Sequence, residues 1–351
     1  MYTEDPNFAA KYRRRVIDEA NAYIASMRLD ANKRRDEYFA PDMTSPEAYA
    51  KSIGKYRTDL INMLGRPLTE YPSELPTNVE RVLLDEDELG TTERLWIEVL
   101  PGVWSYGLLF VPRGEGKFPY INAYHGGGGT CEIVSSVYRS ANYNDLVQRT
   151  RKKINAIIYA PQLILWETYS EEIDGEKVTL PGRYALDASF KQVGGSNAAY
   201  ELFKIRRATD WIVANLPVDT EKMGVLGLSY GGFYTQMTAA SDTRFKAALS
   251  SGYFNDRFIH PWVDWTWFDS GSRMLDSEIV RLICPRYLCI EVGEVDPLFK
   301  VDDARRVAET VTETYNALGI GDKFKFNPHP GNHEFNKSDE NLDWFIEKLL
   351  S

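Results

Sequence analysis

Apolar residues change their period along this chain. From about Asn7 to Phe39 they recur at helical spacing, at Tyr12, Val16, Ala20, Tyr23, Ile24 and Met27. That spacing predicts an amphipathic helix with one side to bury. Ser45-Pro46-Glu47 sets a capping hydroxyl before a proline at the first helical position. The helix it opens is expected to run to about Leu64, ahead of Gly65-Arg66-Pro67. Residues 1–74 therefore read as a helical extension packed on a main domain of residues 75–351.

From about Val79 the period shortens. Val79 to Leu84, Leu95 to Leu100 and Tyr106 to Val111 are β-type runs with little chain between them, which predicts antiparallel strands joined by tight turns. Strand-like runs then alternate with helical ones. The strands are Tyr120 to Tyr124, Ala156 to Tyr159, Met223 to Leu226, Ala247 to Ser250, Tyr287 to Val292 and Lys323 to Phe326. The helices lie near Tyr143 to Arg149, Ala198 to Asn215, Phe233 to Ala240, Asp302 to Leu318 and Asn341 to Leu350. Alternation of this kind implies an α/β fold with a mostly parallel central sheet covered by helices on both faces. The polar, Gly-bearing stretch from about 161 to 195 interrupts the rhythm and reads as a loop or cap-like insertion. No internal repeat and no low-complexity segment is present.

Composition narrows the function classes. Of 351 residues, 43% are hydrophobic and 26% charged, as in an ordinary globular protein. The net charge of −10 argues against nucleic acid or an anionic membrane as the main partner. No run approaches the roughly 20 apolar residues of a membrane span. Met1 to Pro6 leads into Arg13-Arg14-Arg15 without an apolar stretch, so no signal peptide is read and the cytoplasm is the expected compartment. Cys131, Cys284 and Cys289 have no metal-ligand spacing, and neither metal nor cofactor is expected. The 8 Trp, 21 Tyr and 16 Phe suit packing and equally suit sugar or aryl recognition.

The most informative residues are Gly227-Leu228-Ser229-Tyr230-Gly231, set between the apolar run Met223 to Leu226 and the helical stretch from Phe233. A Gly-x-Ser-x-Gly in a strand-turn-helix setting pushes its serine hydroxyl into the open, and the glycines admit the neighbouring backbone. Serine is a poor nucleophile unless a base takes its proton. Of the four histidines, His125 opens the glycine run and His260 lies in a loop-like stretch before Pro261-Trp262, and the chain order Ser, acid, His that such sites use leaves His329 and His333, just after the last predicted strand. His333, flanked by Asn332 and Glu334 just after Gly331, is preferred to His329, which stands between two prolines. Asp296, in the loop Gly293-Glu294-Val295-Asp296-Pro297, is the natural carboxylate to orient the imidazole, with Glu294 as the alternative. Two oxyanion donors are expected. One is the Tyr230 N–H, and the other comes from Gly126 or Gly127 in His125-Gly126-Gly127-Gly128-Gly129. His125, Trp262, Trp265 and Trp166 are candidates for the pocket wall, core packing being the competing reading for the tryptophans.

These motifs, together with Cys284-Pro285-Arg286-Tyr287, resemble the α/β-hydrolase superfamily over roughly residues 75 to 351, within its acetyl xylan esterase-like and dienelactone hydrolase-like branch. Ser229 stands where dienelactone hydrolases proper carry cysteine, which favours the esterase side. The resemblance implies cofactor-free hydrolysis of small-molecule or carbohydrate esters through an acyl-enzyme. Ser229-Tyr230-Gly231-Gly232 also resembles prolyl-oligopeptidase-type peptidases, so a peptidase or amidase is the second reading. A hydrolase-fold binding protein without turnover is the third. Self-association of the chain stays open.

Overall fold

The computed structural model describes residues 1–138 and 141–351. Eleven strands are formed among them: β1 (Val79–Asp87), β2 (Gly90–Leu100), β3 (Val103–Pro112), β4 (Phe118–Tyr124), β5 (Ile157–Pro161), β6 (Tyr169–Ile173), β7 (Glu176–Leu180), β8 (Val218–Leu228), β9 (Phe245–Ser251), β10 (Tyr287–Glu291) and β11 (Phe324–Phe326). Nine of them make one sheet in the order β1-β2-β3-β5-β4-β8-β9-β10-β11. β1, β2 and β3 pair antiparallel, and β3 meets β5 antiparallel. From β5 to β11 every pairing is parallel. The short connections of the first three strands and the helical crossovers of the rest produce this division, as the change of period anticipates.

The helices are α1 (Ala10–Tyr38), α2 (Pro46–Ser52), α3 (Gly54–Leu64), α4 (Cys131–Val134), α5 (Leu146–Lys153), α6 (Arg183–Gln192), α7 (Asn197–Asn215), α8 (Tyr230–Ser241), α9 (Asp276–Arg281), α10 (Val301–Ala317) and α11 (Glu340–Leu350). The parallel strands are buried on both faces. On one, α3, α7, α8 and α10 supply Leu60, Phe203, Phe233 and Val311 to the larger core. On the other, α5 and α11 bring Leu146, Phe345 and Leu349 against Leu226 and Leu249.

The N-terminal helices depart from expectation in two ways. Ser45 caps as read, its Oγ accepting from Ala48 N at 3.1 Å, but the helix breaks at Ile53, so α2 and α3 are separate. α3 docks through Tyr56, Leu60 and Leu64, and Arg57 donates to the carbonyls of Ala240 and Leu282. α1 does not pack as expected. Of its 29 residues only Ala31 is buried, and Tyr12, Val16, Tyr23, Ile24 and Met27 are all exposed. The helical period is present in α1, but the body of the protein ends before it can cover that side.

The insertion between β5 and α7 is more than a loop. It carries the separate β6–β7 hairpin and then α6, whose first residue, Arg183, is fully buried.

Candidate active site

Parallel strands present their C-terminal ends at one edge, and chain segments leaving neighbouring strands meet there. Ser229 follows β8, the glycine run follows β4, Asp296 follows β10 and His333 follows β11. Ser229 sits at φ 61°, ψ −118°, a left-handed backbone that costs a non-glycine residue about 1–3 kcal/mol. Hydrogen bonds hold it there: Ser229 N donates to Ser251 O at 2.8 Å, and Phe233 N donates to Ser229 O at 2.9 Å. The flanking glycines are required by close approach. A Cβ on Gly231 would lie 2.3 Å from Tyr124 O, and one on Gly227 would lie 2.6 Å from Gly231 O.

Ser229 Oγ lies 2.8 Å from His333 Nε2, and His333 Nδ1 lies 2.7 Å from Asp296 Oδ2. Asp296 is buried, and its second oxygen accepts the backbone N–H groups of Leu298 and Phe299 at 2.8 and 3.0 Å. Those bonds aim the carboxylate at the imidazole. The two loops are zipped together by Glu294 N to His329 O and Val295 N to Gly331 O. Glu294 points to solvent and His329 is buried, so neither alternative meets Ser229.

Three expectations about the site require correction, two of them in the glycine run. His125 is not a pocket residue: it is wholly buried beneath the loop. Its Nε2 accepts Leu163 N–H at 2.9 Å, leaving the Nδ1 hydrogen to bond Gly126 O at 2.7 Å. Burial pushes its pKa down to about 4, so the ring is neutral and shapes the loop. Gly126 is not a free donor, because its N–H bonds the Tyr143 hydroxyl at 2.6 Å. The Gly127 and Tyr230 N–H groups have no acceptor among the described residues. Trp265 is not in the wall either: it is buried among Phe233, Tyr253 and Phe299, with Trp262 stacked on its outer face at 4.4 Å. Trp262 and Trp166 do face the cavity, which has a volume of about 240 Å³ and also meets Ser229, His333, Tyr143 and Arg183.

Tyr143 and Arg183 were not singled out from the sequence. Arg183 opens α6 beneath the loop, its Nε donating to the buried Asp264 at 2.5 Å and its guanidinium 3.7 Å from the Tyr230 ring centroid. Both Nη groups lack protein acceptors among the described residues, and a Cβ on Gly127 would stand 3.1 Å from Nη1. The guanidinium therefore backs Gly127 with positive charge, while Asp264 balances it on the far side. Nothing around Pro181-Gly182-Arg183 in the sequence marks that role.

Among the described residues, no group of three or more His, Cys, Asp or Glu is arranged to hold a metal ion, and no helix is long and apolar enough to cross a membrane.

Known proteins share this fold. The model of the prolyl oligopeptidase family matches residues 188–302. A putative acetyl xylan esterase from Bacteroides fragilis superposes with a TM-score of 0.67 at 15% identity, covering 93% of this chain and 89% of that one. A glucuronoyl esterase from Solibacter usitatus gives 0.59 at 17% identity, over 90% and 98%. The chain has the α/β-hydrolase fold. Acetyl xylan esterase 1 from Thermoanaerobacterium sp. JW/SL YS485 shares it with a TM-score of 0.51 at 18% identity, over 91% of this chain and 98% of that one. No curated protein sequence matches the chain.

Proposed function

We propose that the protein is a serine-dependent carboxylic ester hydrolase acting on short acyl esters of carbohydrates, acetyl esters first among them. The observation that carries this reading is the continuous hydrogen-bonded line from Ser229 Oγ through His333 to Asp296 at the edge of a cavity. His333 Nε2 takes the Ser229 proton as Oγ attacks the ester carbonyl carbon. The tetrahedral oxygen receives the N–H groups of Gly127 and Tyr230, with the positive end of α8 behind them. Arg183 adds positive charge behind Gly127. The carbon–alkoxy bond then breaks, His333 returns its proton to the leaving alcohol, and Ser229 keeps the acyl group. Water, deprotonated by the same histidine, attacks the acyl-enzyme and releases the acid. Asp296 accepts the Nδ1 hydrogen throughout and favours the imidazolium.

The esterase neighbours support the carbohydrate-ester class, and Trp166 and Trp262 offer flat faces to a sugar ring. The match to the prolyl oligopeptidase family gives weight to a second reading, cleavage of amides. It spans Ser229 and Asp296 but neither the glycine run nor His333. The buried free cysteines support a reducing compartment, the cytoplasm.

The test is hydrolysis of p-nitrophenyl acetate and acetylated xylose by the wild type and by Ser229→Ala. A loss of several orders of magnitude in kcat is expected, since such sites act as a unit. Equal rates would refute the assignment. Turnover of aminoacyl amides faster than of esters would transfer it to the peptidase reading.

A further inference from the structure

Two elements project from the body and are covered by nothing among the described residues. The first is α1 up to about Leu29. The helix rests on the body only at its far end, where Ala31 is buried, Arg35 donates to Gly271 O at 2.8 Å and the Arg28 guanidinium lies 5.1 Å over Phe258. Beyond that foothold Tyr12, Val16, Ile17, Tyr23, Ile24 and Met27 are each at least 46% exposed. At 100° per residue the six fall within one arc of about 140°; Ile17 and Ile24 lie along the direction that Ala31 and Arg35 turn to the body, Met27 and Val16 follow round from it, and Tyr23 and Tyr12 sit on the flank roughly 100–120° away. The apolar stripe thus continues a packed face into empty space.

The second element is the β6–β7 hairpin. Its strands pair only with each other, and its side chains from Ser170 to Lys177 are exposed, Ile173 included. A lone helix and a lone two-stranded hairpin are both marginal in water and gain stability by covering an apolar side.

Their charges are opposite. α1 carries eight Lys and Arg against five Asp and Glu, with Lys11, Arg13, Arg14 and Arg15 gathered in its first turns. The hairpin carries Glu171, Glu172, Asp174 and Glu176 against Lys177 alone. Only the hairpin springs from the cavity rim. The hairpin follows Trp166 and returns at Gly182, and α1 stands on residues 270–272, shortly after Trp262. Each protrusion offers what the other lacks, and one chain carries both.

We propose that α1 is a dimerisation arm whose occupant is a second copy of this chain. A two-fold axis lets each copy lay its stripe on the other, with Arg13 to Arg15 against the acidic hairpin, so that one arrangement covers both elements twice. Covering six large side chains on each of two helices removes on the order of 1,200 Å² from water, the threshold of a stable interface.

Sedimentation of the full chain between 0.1 and 50 µM tests this, ranges in which the proposed interface is expected to form. The expected species has twice the 40.1 kDa mass of the chain. The double variant Val16→Glu/Ile24→Glu should sediment as the monomer, with its ester hydrolysis and melting curve reporting that it is folded. R13E/R14E/R15E should weaken dimerisation at least tenfold, and adding E171K/E172K/E176K should restore it. A wild type that stays monomeric at every concentration overturns the proposal, as does a dimer unaffected by the double variant. Failure of the charge exchange to rescue overturns the arm-to-hairpin pairing. A monomer whose α1 binds anionic phosphatidylserine vesicles, or a different protein, overturns it in favour of that occupant.

Discussion

α8 and α1 are both continuous helices, held by opposite means. Eleven of the twelve residues of α8 are buried, all of its first four being aromatic or glycine, and its sequence has little amphipathic pattern because it is enclosed on every side. α1 is more than twice as long and buries one residue. Its local supports are the exposed i,i+4 pairs Arg14–Asp18, Arg15–Glu19 and Arg34–Asp30, each worth only a few tenths of a kcal/mol. The contrast separates two uses of a helix. α8 exists to hold a strained serine against a sheet, and packing enforces its geometry. α1 keeps its apolar side unspent.

The largest effect should come from the rigid region. Asp296→Asn leaves the backbone bonds to Oδ1 possible but removes the acceptor that fixes the imidazole tautomer. kcat should fall roughly 10³–10⁴-fold with the melting temperature nearly unchanged, as steady-state kinetics and calorimetry would show. If activity survived, the enclosed site would not be the reacting one.

Next come two substitutions that read stability. Leu60→Ala in α3 empties a fully buried position and should cost about 2–5 kcal/mol in urea unfolding. His125 gives a pH signature. Its pKa is held near 4 in the folded protein against about 6.5 unfolded. Below pH 6.5 the unfolded chain therefore binds a proton that the folded chain refuses. The stabilisation is complete above pH 6.5 and is lost as pH falls towards 4, by about 3 kcal/mol. His125→Gln should lose that much less stability than the wild type between pH 7 and pH 4, and parallel curves would contradict the buried neutral ring.

The smallest effect should be on the arm. Val16→Ala, measured at concentrations low enough for monomer, should change unfolding free energy by no more than about 0.5 kcal/mol. A loss as large as that of Leu60→Ala would mean that α1 folds back onto its own body and would erase the contrast with α8.

Much of the site was legible in the chain because its parts obey short-range rules. A serine between glycines on a strand-turn-helix, an acid and a histidine after later strands, and a glycine run after an earlier one each leave a local signature. His333 over His329 and Asp296 over Glu294 follow from the same local grounds; His333 meets Ser229, and Asp296 meets His333. The errors fell where the answer depends on what lies opposite. His125 opens the glycine run but turns under it, Trp265 lies behind Trp262, and the Gly126 N–H is taken by a tyrosine 17 residues away.

By itself, then, the sequence determined the α/β order of elements, the turn that exposes Ser229 and the helical period of α1, since each depends on neighbours within a few residues. Only the tertiary structure decided which glycine N–H is free, that Arg183 from the insertion backs the loop, and that the apolar stripe of α1 has nothing beneath it. Those depend on side chains brought together from distant segments, and on where the body of the protein ends, neither of which a local period encodes.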